Sequence, residues 1–448
     1  MLKIWTYPRD RAEVEELLRR LRIDPSAVLT GAGELGEIER RVRELLRDVL
    51  ERGDEALLEQ TRRFDDPNME RSRLRVTAEE MESARRRLAD TRPELLGAIR
   101  KAIEQVRGYQ QHILPASAGP LRRAGMEASL RFTPVDSAGL YVPGGTASYP
   151  SSVIMLAVPA QVAGVKRVVV CTPGGAKLSD AVLATSAELG IGEMYRLGGA
   201  TAIAAMALGT ASITPVDVVL GPGNLYVQMA KRLLSGLVGT DGFAGPSEIL
   251  VLADESADAE TVAADLLAQA EHDPGSCFLL TASPAVAHAV ASSVQRQAAS
   301  LPRREALERS LSGLSAAVVC PDMESVYALA NRIACEHVSL QVSDVETALA
   351  ALRHAGCVFA GRDGPVAAGD YVAGPSHCLP TNTTARFASG VSVYSFLKRS
   401  SVVRYGMEGL AADGDAITTL ARAEGLEAHA RSVEMRLRRD ESGRRAGM

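Results

Sequence analysis

The sequence predicts an α/β protein with largely parallel sheets, carried as two α/β units between helical N- and C-terminal regions. Three observations support this. From Ala138 onward, short apolar runs alternate with amphipathic stretches, the texture of strand–helix repetition. Before that point, and again after Pro380, the chain is charged and helical in pattern. At 448 residues it is also too long for one ordinary core.

Taken in order, the helical runs Glu37 to Phe64 and Thr77 to Ile113 come first. Strands are then expected at Leu140–Val142, Arg167–Cys171, Met194–Leu197, Asp217–Leu220, Ile249–Ala253, Cys277–Thr281, Ala317–Cys320, Val338–Val342 and Val358–Ala360. Helical stretches lie between them: Asp180–Leu189, Thr201–Leu208, Tyr226–Leu234, Ala259–Glu271 and Glu324–Cys335. Gly236, Gly239, Gly242 and Gly245 interrupt this alternation and mark a boundary. The expected division is 1–135 helical, 136–245 first α/β domain, 246–380 second α/β domain and 381–448 helical.

Composition narrows the function. Net charge is −5, and Arg is interleaved with Asp and Glu along helices such as residues 9–24, which argues against a nucleic-acid binder. No apolar run approaches the ~20 residues of a membrane helix. The N-terminus, Met-Leu-Lys-Ile-Trp-Thr-Tyr-Pro-Arg-Asp, lacks a signal peptide's apolar core, so a cytoplasmic location is expected. The six cysteines (Cys171, Cys277, Cys320, Cys335, Cys357, Cys378) show no Cys-x-x-Cys spacing, so neither a thiolate zinc site nor a disulfide framework is expected. Any metal must be held by nitrogen and oxygen.

Several expected strands end in glycine turns: Pro143-Gly144-Gly145, Pro173-Gly174-Gly175, Gly198-Gly199 and Gly221-Pro222-Gly223-Asn224. Such turns let backbone N–H groups approach an anion, or serve turn geometry alone. No Gly-x-Gly-x-x-Gly spans a strand-to-helix turn, so the usual dinucleotide fingerprint is missing.

The ionisable clusters say more. Gln269 and His272 close an apolar-periodic helix three residues apart, which puts an amide and an imidazole on one face. Glu336-His337 is expected at a helix end before a strand, where a His suits general-base work and a Glu can activate water. Asp370 sits in a glycine-flanked turn seven residues before His377, as a turn former or a hard ligand. Glu424 and His429 would diverge by about 140° on an unbroken helix, and Gly425 can break that helix and bring them to one side. Each cluster alone is also read as surface, cap or turn. Gln269, His272, Asp370 and His429 together form an N/O set suited to Zn²⁺ with open positions.

At this point the motifs resemble a family. Gly139-Leu140-Tyr141-Val142-Pro143-Gly144-Gly145, Gly221-Pro222-Gly223-Asn224, Ala244-Gly245-Pro246-Ser247-Glu248, Gln269-Ala270-Glu271-His272-Asp273, Glu336-His337, Gly369-Asp370-Tyr371-Val372-Ala373-Gly374 and Glu424-Gly425-Leu426-Glu427-Ala428-His429 resemble the L-histidinol dehydrogenase family in order. The resemblance implies incomplete Rossmann-like domains and an NAD-dependent, zinc-requiring oxidation of L-histidinol to L-histidine through the aldehyde. It implies one Zn²⁺ per subunit on Gln269, His272, Asp370 and His429, and catalysis by Glu336 and His337. Substrate contacts fall to Ser247, Gln269, His272, His337, Asp370, Glu424 and His429, with His377 a further pocket candidate, and cofactor contacts to Tyr141, Thr201 and Asn224. It also implies a homodimer whose C-terminal region completes the partner's site.

The sequence departs from the family pattern at Thr201, where Gln is usual, at Cys335, where Pro is usual, and at Ser376, where Asn is usual. Two other readings compete. One is a paralogous dehydrogenase of another alcohol, such as a sulfonated diol; the other is a catalytically silent zinc-binding homologue. Asp370-Tyr371 and Glu424 with His429 argue against the first, and the presence of Glu336-His337 argues against the second.

Overall fold

The computed structural model describes residues 2–144, 148–175, 178–242, 245–272 and 275–446, so Gly145, Ala244 and Asp273 of the motifs above lie outside the described residues. The chain divides into two units: Met1–Ile113 with Val135–Phe396, and Leu114–Pro134 with Leu397–Met448.

The first unit is built on two parallel sheets. Five strands, β4 (Ser137–Tyr141), β5 (Arg167–Thr172), β6 (Glu193–Arg196), β7 (Val218–Leu220) and β8 (Gly239–Thr240), lie in the order β6-β5-β4-β7-β8. Six strands, β1 (Lys3–Thr6), β9 (Glu248–Ala253), β10 (Ser276–Thr281), β11 (Ala316–Val319), β12 (His337–Gln341) and β13 (Cys357–Ala360), lie in the order β1-β11-β10-β9-β12-β13. Counted from β4 and from β9, both sheets follow the doubly wound order 3-2-1-4-5, and β1 adds an edge to the second. Each stops short of a full six-strand dinucleotide-binding fold.

Burial on both faces explains why these strands read as apolar runs. Every residue of β9 and β10 is buried, and helix Ala259–Ala270 seats Val262, Leu266 and Leu267 against them. In the other sheet, helices Pro150–Ala163 and Gly199–Leu208 are almost wholly buried and accordingly have no polar face. No helix among the described residues is long and apolar enough to cross a membrane.

The second unit is an antiparallel sheet, β14 (Leu397–Tyr405), β3 (Met126–Pro134) and β2 (Leu121–Arg123), in that order, with helices Met407–Ala423 and Glu427–Ala446.

The expected strands all form, each within three residues of its predicted start. The terminal regions are less purely helical than the pattern implied, since β1, β2, β3 and β14 fall within them. The turn joining β2 to β3 uses Ala124 at φ 34°, so the Asn or Asp that normally flags such a turn is absent. Strand β14, Leu-Lys-Arg-Ser-Ser-Val-Val-Arg-Tyr, is largely solvated and its basic residues mimic a polar helix.

Candidate active site

The site begins where helix Met323–Ile333 stops. Ala334 takes a left-handed conformation at φ 51°, and Cys335 and Glu336 lead directly into β12, whose first residue is His337. The expected helix through Cys335 therefore ends two residues early. His337 lies in the sheet, in register with Ile249 of β9 and Cys357 of β13.

One neighbour fixes both side chains. Glu248, the first residue of β9, donates its backbone N–H to Glu336 Oε2 at 2.8 Å. Its carbonyl lies 3.1 Å from His337 Nδ1. A carbonyl only accepts, so Nδ1 carries the proton and Nε2 keeps its lone pair, the tautomer a general base requires.

Glu336 and His337 are 3% and 4% exposed, so burial dominates their proton affinities. It pushes the Glu336 carboxyl up to about 8, opposed by the Glu248 N–H and the Ser247 hydroxyl and reinforced by the charge of Asp370. It pulls His337 down, opposed by Asp370 and the Glu248 carbonyl. The result is a neutral imidazole beside a carboxyl that ionises near neutrality.

Gln269 is the penultimate residue of helix Ala259–Ala270. His272 lies beyond the helix rather than on it, and its N–H bonds to the Gln269 carbonyl at 3.2 Å. That bond preserves the three-residue relation the sequence suggested. Asp370 lies on the short helix Val366–Tyr371 instead of in an open turn, and its carbonyl faces His377 Nδ1 at 3.0 Å. The other nitrogen of His377 meets Ser152 Oγ at 3.1 Å, so both ring nitrogens are engaged and His377 braces Asp370. Ser376 Oγ accepts from Cys378 N–H at 3.2 Å, stiffening the same loop.

These groups share one neighbourhood. Burial lowers the proton affinity of His272 although the residue as a whole is exposed; Asp370 opposes this shift and His337 adds to it. His377 is lowered by burial too, and feels Asp370, His337 and His272.

A cation fits here on one observation. Gln269 is 3% exposed, and its terminal Nε2 has no partner among the described residues. A buried unpaired amide atom costs about 1–3 kcal/mol. Turning the amide over places its oxygen at the same point, on the residue whose backbone carbonyl holds the N–H of His272. Among the described residues no three His, Cys, Asp or Glu side chains gather as a metal cluster, and the set within the first unit supplies only His272 and Asp370 of those types.

The remaining two members, Glu424 and His429, belong to the second unit and are exposed there. Helix Met407–Ala423 ends with Glu424 as its cap, Gly425 follows at φ 76°, and a new helix starts at Glu427. The break lies where the glycine placed it.

The cofactor candidates line the carboxyl ends of the first sheet. Tyr141 closes β4, and its phenol oxygen accepts from Gly199 N–H at 3.1 Å. Thr201 is buried in the first turn of helix Gly199–Leu208. Asn224 caps helix Leu225–Leu234, accepting from the N–H groups of Tyr226 at 3.0 Å and Val227 at 3.2 Å. A Cβ at Gly221 would stand 2.1 Å from the Tyr141 carbonyl oxygen, so only glycine lets this loop close against β4.

Two features escaped sequence reasoning. Lys231, 1% exposed, reaches the Gly221 carbonyl at 2.8 Å and Asp241 Oδ1 at 2.5 Å. Asp241 Oδ2 accepts from Gly221 N–H at 2.7 Å, so the pair clamps both sides of one glycine. A lysine on the apolar stripe of Val227, Ala230 and Leu234 was the legible signal. Glu248 is the other: a carboxylate opening the apolar run Ile-Leu-Val-Leu-Ala.

The histidinol dehydrogenase family model matches residues 30–437. The histidinol dehydrogenase of Thermosynechococcus vestitus is 44% identical over 441 residues, 98% of this chain and 100% of that protein. The Synechococcus sp. protein of the same name is 48% identical over 401 residues, 89% of this chain and 92% of its own. The crystal structure of histidinol dehydrogenase from Elizabethkingia anophelis superposes with a TM-score of 0.90 at 33% identity, covering 98% of this chain and 99% of that one. The chain belongs to the histidinol dehydrogenase family, NAD-dependent oxidoreductases of histidine biosynthesis. Nothing in these matches favours a dehydrogenase of another alcohol or a silent homologue.

Proposed function

We propose that this chain oxidises L-histidinol to L-histidine by two successive hydride transfers to NAD, at the cluster formed by Glu336, His337, Gln269, His272 and Asp370. The observation that supports it best is the pairing of Glu336 and His337 on the main chain of Glu248, with His337 Nε2 left as the free base.

In this reading His337 takes the alcohol proton at Nε2 as the first hydride leaves, since Nδ1 is committed to a carbonyl. Glu336, once ionised, removes a proton from the water that hydrates the aldehyde, and the hydrate loses the second hydride. Ser247, which hydrogen-bonds Glu336, also contacts substrate. Gln269, His272 and Asp370, with His429 from a second copy of the chain, hold one Zn²⁺ per subunit, and Glu424 contacts the substrate beside it. When bound, the ion supplies a Lewis-acidic anchor for the substrate's imidazole and amine, so its contribution is positioning. Tyr141, Thr201 and Asn224 border NAD. Residues 136–245 then serve the cofactor, 246–380 the chemistry, and 381–448 the partner subunit in a cytoplasmic homodimer.

The test is stoichiometric. Histidinol should yield two NADH per histidine, with activity abolished by chelation and restored by Zn²⁺. One NADH per turnover, or full activity in metal-stripped enzyme, overturns this function.

A further inference from the structure

A doubly wound sheet that binds NAD usually supplies an acidic side chain at the end of its second strand, where it accepts hydrogen bonds from the adenosine ribose hydroxyls. Counted from β4, the second strand here is β5, which ends in Cys171-Thr172-Pro173-Gly174 and carries no carboxylate.

A carboxylate reaches the same place from elsewhere in the chain. Asp65 caps the end of helix Asp54–Phe64, its N–H bonded to the Thr61 carbonyl at 2.9 Å. A Cβ built on Gly198, in the loop after β6, would lie 2.7 Å from Pro173 Cβ and 3.1 Å from Asp65 Oδ2. The carboxylate therefore lies between the loops that follow β5 and β6, and glycine at 198 makes room for it. Tyr141, at the end of β4, is close enough to feel its charge.

Its neighbour shows what a structural aspartate looks like here. Asp66 is consumed: Oδ2 pairs with Arg73 at 3.1 Å and Oδ1 accepts from Asn68 N–H at 3.0 Å. Among the described residues no hydrogen bond or ion pair engages the side chain of Asp65, and burial alone raises its proton affinity. A half-buried carboxylate without a donor is available for one brought by a ligand.

We infer that Asp65 is the residue that receives the adenosine ribose hydroxyls of NAD and excludes the 2′-phosphate of NADP. This deepens the cofactor reading above and rests on it. A diol donates two hydrogen bonds to a carboxylate, whereas a 2′-phosphate sets negative charge against it.

The experiment measures binding to the zinc-loaded enzyme by calorimetry, using NAD, NADP and NAD built on 2′-deoxyadenosine. Wild-type enzyme should bind NAD roughly tenfold or more tightly than the 2′-deoxy analogue, as loss of one charge-assisted bond requires. Asp65→Asn should lose a similar factor for NAD, show a much smaller penalty for the deoxy analogue, and bind NADP more tightly than wild type does. An unchanged NAD affinity in Asp65→Asn, or a 2′-deoxy penalty that persists in full in that variant, overturns the assignment. The wild-type arm alone decides if the variant folds poorly: equal affinity for NAD and its 2′-deoxy analogue sinks it. Asn224→Ala is the reference, because loss there with none at Asp65 removes Asp65 only, whereas no loss at either removes the cofactor site too.

Discussion

The two parallel sheets have the same strand order and carry their candidate residues at opposite ends. In the first, the candidate residues lie at and past the carboxyl ends of the strands, where glycine loops and helix starts offer N–H groups: Tyr141 at the end of β4, and Gly221 to Asn224 after β7. In the second, they lie at the amino ends, where Glu248 opens β9 and His337 opens β12. The contact between Ser152, on the helix that follows β4, and His377 brings these two ends together. A carboxyl end suits an anionic cofactor because helix N-termini point at it. An amino end lacks that supply of donors, so burial can hold a carboxyl near its protonated form and an imidazole neutral. On the proposed function, the same scaffold yields a binding end and a reacting end.

Breaking the reacting end should have the largest effect. His337→Ala is expected to slow histidinol oxidation ~10²–10⁴-fold, the usual worth of a positioned base, in single-turnover assays started from histidinol. Glu336→Gln should spare that step and slow oxidation of added histidinaldehyde by a comparable factor. Equal losses in both half-reactions contradict the assigned roles. Below pH 8 the aldehyde step should rise with pH as Glu336 ionises, since its carboxyl is held near 8. A bound cation opposes burial, so the inflection should move down on metal loading, and Glu336→Gln should flatten the profile.

The binding end should respond differently. Lys231→Met leaves Asp241 without its cation and frees the Gly221 carbonyl. A loss of about 3–5 kcal/mol in denaturant unfolding is expected, together with a higher KM for NAD and little change in kcat. A fall in kcat with KM unchanged would remove the distinction between the two ends.

Glu248→Gln probes the reacting end through stability. Burial raises the Glu248 carboxyl to about 8, so the folded chain holds a proton there that the unfolded chain releases from about pH 4.5. Stability from this group is complete below pH 4.5 and is lost as pH rises to 8. Gln keeps an oxygen for the Asn382 N–H without the charge, so the variant should gain a few kcal/mol, at most about 5, over wild type at pH 9 and little at pH 5. A gain independent of pH contradicts this.

The smallest effect serves as a control on the second unit. Ala124 occupies φ 34° in the turn between β2 and β3. Ala124→Gly should stabilise by roughly 0.5–1 kcal/mol in thermal unfolding, with no change in either half-reaction.

Much of this was legible beforehand, for identifiable reasons. The buried strands were readable because burial on both faces leaves an uninterrupted apolar run, as in Glu248–Ala253. The break at Gly425 was readable because a glycine between helical stretches has few other uses. The sequence places Asp370 in a turn and the structure places it on a helix, because flanking glycines also occur where a short helix packs closely: a Cβ on Gly369 would lie 2.4 Å from the Phe359 ring. Strand β1 could not be read, since its four residues form a strand only by pairing with β11, far along the chain.

By itself the sequence determined the strand–helix alternation, the two-sheet division and the types of residue available for chemistry, because each depends on local periodicity or side-chain identity. The tertiary structure alone decided at which end of each sheet the candidate residues lie, that Glu248 orients both Glu336 and His337, that Lys231 clamps Gly221, and that Asp65 comes to lie beside Gly198. Those outcomes depend on distances between residues remote in the chain, and on the burial that shifts their proton affinities. Neither is encoded in any local window.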